Sequence, residues 1–232
     1  MTTTTAAPTG TLYGPRTVST WAPSSIALVA GTGLGLGIAT QVLQGVLPDA
    51  LGRLANSCAV WVVFAFIVGS FVPRGVRNTA AAGAATLAGA LAGYYAAALI
   101  EGTPVAISTV LVWTGTALVG GPLFGIAGGW LRDEASWLVG EVPWRRIAAL
   151  ALLGGAVAAE GIEGVFIHPA GNPGSVDLVA WAMLFAGPLV PLLAGRTVRE
   201  RLLGITAATV VVLAGLAAFG ALNATLSFAG QA

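Results

Sequence analysis

There is no lysine in this chain. All ten basic residues are arginine, and charged residues make up only 8% of the 232 positions. A net charge of +1 leaves no basic footprint for a nucleic-acid partner. The single cysteine, Cys58, excludes an intrachain disulfide and a cysteine-rich metal site. It lies in an apolar run, where a thiol behaves as a small hydrophobe. No serine or cysteine stands beside a plausible base, so nucleophilic catalysis is not expected. GTGLGLG at 31–37 lacks the preceding strand and the lysine of a phosphate loop. No cofactor and no metal is expected.

Apolar residues are what the chain has instead. They make up 56% of it, and the mean hydropathy is +0.89, outside the range of soluble globular domains. Runs of about 20 residues, long enough to cross a bilayer, fall at 25–47, 53–72, 79–100, 105–131, 147–168, 177–195 and 202–222. The expected architecture is an all-α bundle of seven transmembrane helices forming one domain over 24–232. The Thr/Pro/Gly-rich segment 1–23 reads as a disordered cytoplasmic tail. With seven crossings, nine arginines fall on the side of the N-terminus and only Arg53 on the other. The positive-inside rule then places the N-terminus in the cytoplasm of a bacterial cell and the C-terminus outside. Trp130, Trp137 and Trp144 read as an interfacial aromatic belt. Gly31/Gly35, Gly33/Gly37, Gly89/Gly93 and Gly125/Gly129 are small-residue pairs suited to close helix packing.

Two glutamates, Glu160 and Glu163, break the apolar run 147–168. An acid at that depth costs several kcal/mol, about 2.5–3.5 on insertion scales. Their spacing of three puts both on one helix face. Two carboxyls so close in a dry place do not both ionise, so one is expected to hold a transferable proton. The structural alternative is that they hydrogen-bond neighbouring helices. His168 follows in the next turn, but Glu160, Glu163 and His168 do not share a face as three metal ligands would.

Other polar and aromatic residues sort to the same outer half of the membrane. Span one ends there with Gln41 and Gln44, and span two begins there with Arg53 and Asn56. Tyr94, Tyr95 and Glu101 close span three, while Asp177 and Trp181 open span six. Trp61 and Trp113 lie about two turns deep. The sorting predicts a pocket open to one side. The expected catalytic residues are Glu160, Glu163 and Asp177. The expected substrate contacts are Gln44, Arg53, Asn56, Trp61, Tyr94, Tyr95, Glu101, Trp113 and Trp181.

The segments LANSCAVWVVFAFIVG (54–69), GYYAAALIEGTPV (93–105), GPLFGIAGGWLR (121–132) and AEGIEG (159–164) resemble an uncharacterised family of actinobacterial multi-pass membrane proteins. The likeness runs over about residues 30–165. In size and seven-span plan the chain is also similar to integral-membrane terpene cyclases, a likeness of architecture that transfers no catalytic residue. It implies a metal-independent cyclisation. A buried acid, Glu160 for preference, would protonate a prenyl or epoxyprenyl chain taken from the bilayer, and aromatic faces would stabilise the carbocation. The alternative is the solute-binding membrane subunit of an energy-coupling-factor type of transporter. Beyond a hydrophobic substrate and membrane lipids, no partner is implied, and the oligomeric state is open.

Overall fold

The computed structural model describes residues 21, 23–73, 75–132, 143–168 and 177–229. Among them there are eight α-helices and no strand. In chain order they are α1 (Pro23–Val46), α2 (Asp49–Ala55), α3 (Cys58–Phe71), α4 (Val76–Ile100), α5 (Ile107–Arg132), α6 (Trp144–Ile162), α7 (Leu178–Ala194) and α8 (Val198–Ala229). A π-helical turn, Glu163–Ile167, continues α6. Five segments, α1, α4, α5, α6 with its π turn, and α8, are long and apolar enough to cross a membrane; α3 and α7 are shorter apolar helices. Of the expected tail, Trp21 donates from its indole to Asn78 at 3.2 Å, and Pro23 already begins α1. The other tail residues, Arg16 among them, lie outside the described residues, as do Arg74, Trp137 and most of HPAGNPGS.

One expectation needs correcting. The apolar run 53–72 predicts one continuous helix, and it is broken at Asn56–Ser57. Short polar side chains there compete for backbone groups. Asn56 ends α2, and the Ser57 hydroxyl accepts the Val60 amide at 3.1 Å, which starts α3 afresh. At 1.5 Å per residue, α3 alone is about 21 Å long, short of the hydrocarbon core of about 30 Å.

Helix α4 packs against α1, α3 and α5, and α6 packs against α7 and α8; contacts of α6 with α3 and α5 join the two groups. Glycine makes the first group possible. A Cβ on Gly37 would overlap the Ala90 carbonyl of α4, and one on Gly83 would overlap the Gly121 carbonyl of α5. Gly31 and Gly35, by contrast, face open space, so that pair does not pack within the chain. Gly37→Ala is therefore expected to cost about 1–3 kcal/mol, the usual penalty for overpacking. Gly35→Ala is expected to leave thermal unfolding in detergent unchanged or slightly later. Equal melting of the two variants would contradict the packing.

At the arginine-rich end, Arg146 donates to the Ala194 carbonyl at 2.6 Å and lies 3.6 Å from Glu200. Glu200 in turn accepts the Arg196 amide at 2.8 Å. These contacts join the start of α6 to the α7–α8 turn.

Candidate functional site

The break in span two creates the site. A helix start exposes amide donors that have no partner in the helix, and here the start of α3 lies among other helices. Two carboxyl or hydroxyl groups answer it. Ser57 serves Val60, and Glu160 on α6 accepts the Ala59 amide at 2.6 Å. Glu160 is 6% exposed, and the Ser57 side chain lies beside its carboxylate. A carboxyl oxygen there satisfies one of the unpartnered amides whether or not the acid carries a proton. Glu160 is thus a cap supplied by a distant helix.

Glu163 takes different partners. It meets the His168 ring at 2.8 Å and Arg53 at 3.6 Å. Both carboxyls do reach the α2–α3 segment, as one helix face requires. Each carboxyl has its own donor, Glu160 the Ala59 amide and Glu163 the His168 ring with Arg53. A π turn begins at Glu163 and is closed by the His168 amide on the Glu163 carbonyl at 2.8 Å. Such turns re-aim side chains and recur at functional sites.

Arg53 is the centre of this ionic cluster. Its Nε donates to Asp177 at 2.5 Å and its Nη2 to the His168 carbonyl at 2.9 Å, with Glu163 near Nη1. Asp177 also caps α7 by accepting the Ala180 amide at 2.9 Å. Gly164 leaves room for the guanidinium, since a Cβ there would come within 2.8 Å of Nη1.

On the other side of the break lies a cavity of about 280 Å³. Trp61, Tyr94, Tyr95 and Trp113 wall it, with Asn56, Ser57 and Cys58 at the break and the Thr103–Ala106 connection beside them. No charged side chain lines it among the described residues. The rings are held from behind. The Trp61 indole donates to Thr40 at 3.1 Å, and the Tyr94 hydroxyl to Gln44 at 3.4 Å. Gln44 also donates to Asn56 at 2.9 Å. Trp61 and Tyr95 each meet Tyr94 edge to face. With their polar tips tied to α1, Trp61 and Tyr94 turn aromatic surface to the cavity.

Of the residues singled out from sequence, Asn56, Trp61, Tyr94, Tyr95 and Trp113 come together around this cavity. Gln44 stands behind it. Arg53, Glu163 and Asp177 form the separate ionic cluster, and Glu160 lies behind the cavity wall at Ser57. Glu101 accepts from Gln41 at 2.8 Å and does not line the cavity. Trp181 stacks on Phe185 on the exposed side of α7. Sequence reasoning passed over Ser57, Thr103 and Thr109. The signal for Ser57 was the run Asn56-Ser57-Cys58 inside an apolar segment.

No curated protein and no solved structure matches this chain. The model of a family of unknown function, DUF6518, matches residues 15–225. The match takes in the broken second segment, the aromatic cavity and the Arg53 cluster alike, and the chain belongs to that family.

Proposed function

We propose that this is a seven-crossing protein of the bacterial cytoplasmic membrane that binds an uncharged, predominantly apolar small molecule in its outer half. The observation that carries the proposal is the cavity itself, walled by four aromatic side chains with no charged one among the described residues. A charged ligand would be left without a partner there, at a cost of several kcal/mol. An apolar one exchanges lipid or water contact for aromatic surface. For the topology, α2, the break and α3 together supply the second crossing, and α7 the sixth. Arg77, Arg132, Arg145, Arg146, Arg196, Arg199 and Arg201 then share one side with the N-terminus, opposite Arg53. A reporter fused after Ala232 is expected to be active only as an extracytoplasmic type. Activity of a cytoplasmic reporter would overturn the orientation.

Cys58 provides the test of binding, because the chain's sole cysteine lines the cavity. Only the thiolate reacts, so a small neutral thiol reagent is expected to label it slowly and at alkaline pH, and apolar compounds are expected to slow the labelling further. A panel of linear and compact apolar compounds with no protective member would sink the proposal.

Proton-initiated cyclisation of a prenyl chain is a second reading, favoured by one observation. Ser57 lines the cavity and lies beside the Glu160 carboxylate, so a hydroxyl stands between an acid and a bound chain. Donor Glu160 would pass its proton through Ser57 to an epoxide or terminal alkene, and the aromatic faces would stabilise the resulting cation. The transport-subunit alternative draws less support. Of the small-residue faces it would use to dock a partner, Gly33, Gly37, Gly89 and Gly93 are packed between α1 and α4, and the Gly31/Gly35 pair alone of the glycine pairs on α1 faces open space.

A further inference from the structure

The cavity has a long axis. On α4 its lining runs from Ala98 near the outer end to Leu87, and on antiparallel α5 from Thr109 to Gly120. Each stretch is about 16 Å at 1.5 Å per residue, close to the hydrocarbon depth of one leaflet, roughly 15 Å. The deep ends meet. A Cβ on Gly120 would touch Leu87 at 3.8 Å and Val62 at 3.9 Å. The lining is also graded in polarity. Asn56, Ser57, Thr103 and Thr109 cluster at the outer end, whereas Val62, Leu87, Leu91 and Ala117 form the deep end. The one deep hydroxyl, Thr116, is spent on the Val112 carbonyl of its own helix at 3.0 Å.

From this shape we infer that the ligand is a single-chain amphiphile. Its linear apolar tail stands along the bilayer normal to the depth of one leaflet. Its uncharged head, a hydroxyl or carbonyl, rests at Asn56 and Thr103. The inference builds on the apolar-site proposal and adds to it a shape, a direction and a head group. A prenyl alcohol and a fatty alcohol share this chemistry. Asn56 and Thr103 are both exposed, so the head reaches water while the tail passes the aromatic rings.

The experiment uses the full chain in phosphatidylcholine nanodiscs, because an alkyl-chain detergent would itself compete for the slot. Protection of Cys58 from a neutral methanethiosulfonate is measured, with ligand amounts referred to their concentration in the bilayer. Farnesol and dodecanol stand for the prenyl and acyl sources, and either one supports the proposal; their ratio tells the sources apart. Hexanol is too short, adamantanol is compact, and farnesylamine and farnesoic acid carry charged heads. The better long-chain alcohol is expected to protect at least about tenfold more effectively than any of these four, a difference of about 1.4 kcal/mol. Gly120→Val plugs the deep end with only ordinary contacts from its Cβ. It is expected to remove the long-chain advantage while hexanol protects as before. If adamantanol protects as well as farnesol, or Gly120→Val leaves the length preference intact, the chain-shaped slot is refuted and the apolar site stands. Stronger protection by farnesylamine refutes the uncharged head. Protection by no compound at all refutes the apolar site itself.

Discussion

Arg53→Leu is expected to lower the stability of the protein by about 3–5 kcal/mol, the cost of stripping one partner from a buried ionic cluster. The side chains of Arg53, Asp177 and Glu163 are only 14%, 5% and 13% exposed, so water cannot replace the guanidinium. Arg53→Lys is expected to recover only part of the loss. Nε, Nη1 and Nη2 face three different groups, and one ammonium cannot reach all of them. The double variant Arg53→Leu/Asp177→Asn is expected to melt later than Arg53→Leu alone, because it removes one stranded carboxylate. Thermal unfolding in detergent measures all three. If Arg53→Leu lies within about 0.5 kcal/mol of the native protein, the range of ordinary surface changes, the cluster does not hold α2 to α6 and α7.

The second large effect is at Glu160, where two substitutions part company. Glu160→Leu leaves the Ala59 amide buried without an acceptor, and about 1–3 kcal/mol of stability is expected to go with it. Glu160→Gln keeps a carbonyl oxygen in the same place, so the hydrogen bond to Ala59 and the fold are expected to survive, as is protection of Cys58 by apolar ligands. Loss of folding in the Gln variant would mean that the charge, and not the acceptor, holds α3. The Gln variant also tests the cyclase reading, since it removes the transferable proton. General acid catalysis contributes about 10²–10⁴-fold, so cyclisation of an epoxyprenyl aromatic substrate, followed by mass spectrometry, is expected to fall at least that far. Native protein that converts no such substrate ends the cyclase reading and leaves the binding proposal untouched. Full activity in Glu160→Gln would remove Glu160 as the donor.

Much of this arrangement could be read along the chain, because depth in a membrane helix follows from counting residues. Trp61, Tyr94, Tyr95 and Trp113 sort to the outer half by that count, and they meet around one cavity. Counting does not say which way a side chain points around its helix, nor what it meets there. Glu160 and Glu163 show the difference. Both are deep and polar in the sequence, yet their partners are a backbone amide of α3 and an arginine of α2. That amide is free only because the helix breaks at Asn56–Ser57, and an apolar run with two small polar residues near its start reads equally well as the mouth of a continuous helix. The π turn after Glu160 has no sequence signal of its own, and it begins at Glu163 and is closed by the His168 amide. Glu101 and Trp181 illustrate the opposite error. They share the right depth, but Glu101 is taken up by Gln41 and Trp181 faces away from the cavity.

The cap on α3 also bears on how the protein is made. Ala59 and the carboxylate that accepts its amide are 101 positions apart, and Arg53 and Asp177 are 124 apart. At typical synthesis rates a separation of 101 residues is roughly 5–20 s of translation. During that interval α2 and α3 are already out of the ribosome with a bare helix start and an unmatched guanidinium. The second apolar segment is therefore made unfinished, and it is completed only when α6 and α7 emerge. A nascent chain stopped before Glu160 carries a helix start and a guanidinium whose partners, Glu160, Glu163 and Asp177, have not yet been made.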